Sequence, residues 1–241
     1  MLATDEGYVF DDAYDIAEVG YFWERCHPES FHEAQERFVQ EVDPYAMHVM
    51  MPCESDIQLV QMMFTEWLVF DYVAPDGHNP LYHYMDACNG AGRCLTADQL
   101  KQVEHSQFFS QFWVIAQDEE HETALLADSK SKQLFHLHNG LVACNENWED
   151  GLLGLRIAHI DGEWHMVGGI PLHDRGLCKD EHVCAAEMSQ YHFEGPTAKN
   201  NCAQSYLSCA RDLIGARGRY RGTVEVVAYP ESESACSTGL L

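Results

Sequence analysis

The densest set of metal-ligating side chains in this 241-residue chain lies between His173 and His192, where His173, Cys178, His182, Cys184 and His192 fall close together. Cys178 and His182 are four residues apart and share one face if a helix begins by Cys178. His173 or Cys184 can then close a tetrahedral set of thiolate and imidazole donors, which is zinc chemistry. The spacing is not that of paired C-x-x-C knuckles, so the competing reading is an ordinary loop and helix in a protein rich in His and Cys. Zinc is the one cofactor these residues imply.

Other residues offer other chemistry. Glu66 and Asp71, five apart on one expected helix, can bring two carboxylates together for acid–base work, with Trp67, Phe70 and Asp71 lining a groove. The simpler reading puts Trp67 and Phe70 in the core, Glu66 on a solvated or paired face and Asp71 over the following turn. A nucleophilic cysteine needs a base beside it. Cys26 with His27 and Cys53 with His48 are the pairs to consider, but adjacent residues seldom face each other and Pro52 divides the second pair. Arg211, Arg217, Arg219 and Arg221 form an anion or partner patch with Tyr220 available for stacking, or else neutralise a helix C-terminus and pair with acidic residues. Met47, Met50, Met51, Met62, Met63 and Met85 can build an adaptable apolar groove or simply fill a core. The chain has no G-x-x-x-x-G-K-[ST] loop, no G-x-S-x-G elbow and no H-E-x-x-H helix.

The elements that position these residues follow from periodicity and punctuation. Apolar residues at helical spacing predict a helix over 10–23, and Ser30 with Glu33 reads as a capping box before another. Asp43-Pro44 restarts a short helix. Residues 54–72 read as a helix apolar almost all round, with Ser55 or Asp56 as its cap. Pro80 starts a helix to about Ala87, and Thr96 caps one to about Ser110. Strands are then expected at 112–116, 123–126, 133–137, 152–157 and 163–167, with Asn139-Gly140 and Asp161-Gly162 among the turns between them. Helices over 180–193 and 201–215 and a strand over 223–229 close the chain. The expected class is α+β: a helical module (1–110), a small antiparallel β-barrel-like module (111–168) and a C-terminal mixed α/β segment (169–241) with a frayed tail.

Several of these residues make a pattern together: Phe64-Thr-Glu-Trp-Leu-Val-Phe-Asp-Tyr72, Pro75-Asp-Gly77, Pro80-Leu81, Ser110-Gln-Phe-Trp-Val-Ile115, Leu125-Leu-Ala-Asp128, Gly151-Leu-Leu-Gly-Leu-Arg156 and Asp161-Gly162. Over about residues 60–168 this resembles a group of uncharacterised bacterial proteins in which an F-x-E-W-x-x-F-D helical segment precedes a small β module, some with a cysteine-rich SEC-C zinc motif. The SEC-C cluster is absent here, so the resemblance implies an architecture and carries over neither zinc nor a link to protein export.

Composition narrows the function classes. The formal charge is −25, from 39 acidic residues against 14 Lys and Arg, and the first 110 residues hold 20 of the acids and 4 of the bases. Such a chain repels phosphate backbones and anionic lipid, so nucleic acid is disfavoured as a partner. No apolar run reaches the ~20 residues that span a bilayer, and the start lacks a signal-peptide pattern. A cytoplasmic protein with mostly reduced cysteines is expected. The functional expectation is a non-enzymatic binding or adaptor protein for a protein or small ligand; the alternative is a metal-dependent enzyme or zinc-stabilised domain built on residues 173–192.

Overall fold

A computed structural model of the chain describes residues 12–87, 94–145, 148, 152–169, 172–174 and 202–218. Helix α1 (Asp12–Cys26) gives way to α2 (Pro28–Val42) across His27, the N-cap, with Pro28 in the first turn where its missing N–H costs nothing. Ser30 therefore lies inside α2 and is not the cap its spacing to Glu33 implies; its hydroxyl shares a 3.0 Å hydrogen bond with the Tyr72 phenol. Asp43, at a left-handed φ of 51°, ends α2 and turns the chain into a 3-10 helix (Tyr45–His48). Helix α3 (Glu54–Phe70), with Cys53 rather than Ser55 or Asp56 as N-cap, buries Met63, Phe64, Trp67, Leu68 and Val69 and so is covered on more than one face. Helices α4 (Pro80–Ala87) and α5 (Ala97–Ser106) follow, and a capping box between Thr96 and Gln99 opens α5.

α5 stops four residues short of the expected Ser110. Gln107 is extended, and the next two rings go to opposite sides: Phe108 into the barrel core, Phe109 into the helical core. Only a strand alternates in that way. β1 (Phe108–Asp118) is long enough to serve twice. Its first half pairs with β4 (Leu152–Ile160), its second half with β2 (Thr123–Asp128), and a bulge between Val114 and Ala116 bends it between the two. β2 pairs with β3 (Leu134–His138), β3 runs parallel to β5 (Glu163–Met166), and β5 returns antiparallel to β4, closing the circuit β1-β2-β3-β5-β4-β1.

The barrel is thus a closed five-stranded mixed barrel rather than a purely antiparallel one. The parallel pair traces to a turn misread in the sequence. Asn139-Gly140 is not a hairpin turn: Asn139 has φ −164° and its side chain accepts the Val142 N–H, capping the one-turn helix α6 (Gly140–Ala143) that leads the chain across to β4. β6 (Leu172–Asp174) pairs with the start of β4, beyond the end of β5.

Three of the four apolar clusters among the described residues frame the border between helices and barrel. Phe112, Leu126, Phe135, Leu137 and Leu155 fill the barrel. Phe38, Trp67, Leu68 and Tyr206 belong to a core shared by α2, α3 and α7 (Cys202–Ile214). Val19, Val69, Leu81 and Leu100 pack against Ala158 and Ile160 on the outer face of β4, which mounts the helices on the barrel. No described helix is long and apolar enough to cross a membrane.

α7 is anchored at its end by Gly215, which bridges to Pro44, while the Ala216 N–H donates to the Asp43 carbonyl at 2.7 Å. A Cβ on Gly215 would stand 2.4 Å from the Arg211 carbonyl oxygen and 2.8 Å from that of Val42. Gly215→Ala is expected to destabilise the fold by about 1–3 kcal/mol, the usual cost of forcing extra atoms into a packed site; urea unfolding of the two chains measures it.

Candidate functional site

The border between helices and barrel holds a buried cation, Arg156. β4 is buried on both faces: Leu153, Leu155 and Ile157 point into the barrel, while Arg156, Ala158 and Ile160 alternate outward beneath the helices. The Arg156 side chain is fully buried. Its Nη1 and Nη2 donate to the two Asp71 oxygens at 3.2 and 2.6 Å, Nη1 also donates to Gln107 Oε1 at 2.6 Å, and Nε donates to Glu66 Oε1 at 3.0 Å. The guanidinium carbon lies 4.8 Å from the Phe70 ring centre, 5.3 Å from that of Tyr206 and 6.0 Å from that of Phe109. Rings on a planar, weakly hydrated cation recover part of what dehydration costs.

Glu66 is equally enclosed. Its second oxygen accepts the Gly169 N–H at 2.9 Å. The backbone can come this close because residue 168 has no side chain: a Cβ there would stand 2.9 Å from Arg156 Cβ and 3.0 Å from both Glu66 oxygens. Tyr206 completes the enclosure, its hydroxyl donating to the Met63 carbonyl at 3.2 Å.

One cation thus faces two carboxylates, and they share it unequally. Asp71 takes the bidentate side and Glu66 a single bond. Burial pushes the Glu66 carboxyl above the usual carboxylate range, against the lowering influence of the Arg156 charge, its hydrogen bond and the Gly169 N–H, while the Asp71 charge adds to the rise. For Arg156, burial works against the charge but the two carboxylates outweigh it, so the guanidinium stays protonated. Burial and the Glu66 charge raise Tyr206 well above an ordinary phenol, so it too is a fixed neutral donor.

This cluster absorbs the residues read as a groove. Trp67 is buried in the helical core against Phe38 and Tyr72, Phe70 packs on the Arg156 guanidinium and Asp71 is held by it, so the three do not line a shared open groove. The cavity nearby, about 20 Å³, is walled by apolar side chains including Ile16, Val69, Phe70, Leu100 and Val167, with no polar group to orient a ligand. Glu66 and Asp71 do converge, though as partners of a cation and not as an acid–base pair. The sequence reading missed Arg156, Gln107, Phe109, Gly168 and Tyr206. One signal was available: a lone arginine in the apolar run Leu152–Ile160.

The other sites read from the sequence separate. Cys178, His182, Cys184, Arg219 and Arg221 lie outside the described residues, and of His173 only the backbone, in β6, is described. Among the described residues no group of three or more His, Cys, Asp or Glu side chains is arranged to hold a metal ion. Arg211 donates to the Glu41 carbonyl and carboxylate at 2.7 and 3.2 Å, tying α7 to α2, while Arg217 is exposed. Neither cysteine–histidine pair is assembled: the His27 ring stacks on Trp23, His48 donates to Asp43, and Cys53 contacts the Ser55 hydroxyl. His83 lies 3.0 Å from Asp76 near the same Trp23, and His138 and His165 flank Glu163 across the β3–β5 pair. Among the large apolar side chains, Met50, Met51 and Met47 are 100%, 87% and 61% exposed, and Ile57 and Met62 of α3 are exposed as well.

Arg156→Met leaves two carboxylates buried without their cation and is expected to cost about 3–5 kcal/mol. Adding Glu66→Leu and Asp71→Leu removes the stranded charges and should recover most of that loss. The pH dependence has a definite sign. Because the Glu66 carboxyl is raised in the folded state, its ionisation costs the native protein, so this group's contribution to stability falls as pH rises from the ordinary carboxylate value through the folded one. Without Arg156 the rise is larger, so the loss in Arg156→Met should be greater at pH 8 than at pH 5; denaturant titrations at both values check it. Compared with known proteins, the chain matches no family model, no curated protein and no solved structure.

Proposed function

We propose that the chain is a non-enzymatic binding or adaptor protein that engages a protein partner through the exposed apolar surface around residues 47–62. The observation that carries this reading is the disposition of its side chains. The ionisable groups at the border between the layers saturate one another in a closed cluster, whereas Met47, Met50 and Met51 stand in solvent. Exposed apolar surface is what a partner removes from water, and thioether side chains adapt to the shape they meet. The surrounding acidity favours a partner with a cationic rim.

Five-stranded barrels of the OB type bind oligonucleotides or oligosaccharides with the face of their second and third strands and adjoining loops. Here the β1–β2 loop carries Glu119, Glu120 and Glu122 and the β4–β5 turn carries Asp161, so a phosphate backbone would meet carboxylates. That supports a partner other than nucleic acid.

Replacing Met47, Met50 and Met51 together with Ser should leave the unfolding midpoint nearly unchanged, since the positions are exposed. A partner captured by the unmodified chain and then purified should lose its affinity for the variant in a two-component titration. Turnover of a substrate by the purified chain, abolished by a single substitution, would sink the proposal.

A further inference from the structure

We infer that the segment from Met47 to Cys53 is a Cu(I) site. It reads Met47-His48-Val49-Met50-Met51-Pro52-Cys53, so three thioethers, one thiol and one imidazole fall within seven residues. Soft thioether and thiolate donors are the set that selects Cu(I) over harder divalent ions. Three of the chain's nine methionines are in this segment. All three are exposed, as is Cys53. The same sulfurs that make the surface adaptable for docking are also the donors a soft ion takes.

The donors are gathered by sequence rather than by contact, His48 resting on Asp43 and Cys53 on Ser55, so a bound ion would have to draw them together. The chain leaves the 3-10 helix at His48 with Val49 extended and bends through residues 49–51 before α3 begins, so these side chains come from one short connection. Three rotatable bonds let each methionine turn its sulfur toward a common centre. His48 Nε2 lies 2.6 Å from Asp43 Oδ1. A carboxylate accepts and does not donate, so Nε2 is the ring nitrogen that donates to Asp43 and Nδ1 is the one turned to other partners, the carboxylate–histidine arrangement that orients metal ligands. As the Cu–S bond forms, the Cys53 thiol gives up its proton to solvent and the thiolate balances the charge of the ion. No electron is transferred.

This deepens the binding reading by naming a ligand for the same loop, and it rests on that reading only for the loop's being a contact surface. Cys26 and Cys144 are exposed too, so total copper content does not locate the site. The test is local. The full chain, labelled with 13C in its methionine methyl groups and kept reduced and free of oxygen, is titrated with Cu(I) buffered by bicinchoninate. The methyl signals of Met47, Met50 and Met51 should move, while those of the buried Met63 and Met166 stay in place. In chelator competition, M47L/M50L/M51L should lose Cu(I) affinity by at least what disturbing a metal's outer shell costs, about 10–100-fold. Leu keeps the surface apolar, so protein docking should survive in that variant while copper binding fails, and the Ser variant should lose both. Cu(I) binding that leaves the three methyl signals unmoved, or that persists in the Leu variant, overturns the site without touching the docking proposal.

Discussion

A guanidinium removed from water must be surrounded by acceptors, and in this chain the acceptors come from the far side of the border it occupies. Arg156 belongs to β4, Glu66, Phe70 and Asp71 to α3 and its end, Gln107 to the end of α5, Phe109 to β1 and Tyr206 to α7. No element can move far without exposing an unpaired buried charge, and that cost is several times what a lost apolar contact costs. Ala158 and Ile160 add apolar contacts between the layers, but such contacts do not fix a register. The directional bonds of Arg156 do.

The same constraint leaves Glu66 no free oxygen. A catalytic carboxylate needs a face open to substrate and a proton to exchange. Glu66 has its two oxygens committed to Arg156 and Gly169, and the residue beside them must be glycine for the backbone to pass. The raised carboxyl is the residue of an uneven division, one cation between two anions, and is not evidence of a poised acid.

Much of the fold was legible in the sequence because it rests on local rules. Pro80 and Thr96 opened helices where expected, the apolar period of α3 placed it centrally, and the strand runs lay within a residue or two of β2, β3 and β5. The errors came where two local rules competed. Asn139-Gly140 suits a hairpin and also suits a cap, and the choice between them changed an antiparallel circuit into one with a parallel pair. The cluster itself was half legible: Glu66, Trp67, Phe70 and Asp71 stood out by type, but their partner lies ninety residues from Glu66, and no local period reports a contact of that separation. The F-x-E-W-x-x-F-D pattern and the arginine of the later apolar run are two halves of one interaction.

If Arg156 holds the barrel and the helices as a single cooperative unit, native-state hydrogen exchange reads it directly. Amides of β4 from Leu153 to Ile157 and of α3 from Met63 to Val69 should exchange through one opening with the same free energy, to within about 0.5 kcal/mol, the scatter expected of a shared global event. Barrel amides that exchange through a separate, cheaper opening while those of α3 stay protected would contradict it, because the two layers would then part without breaking the cluster that is held to join them.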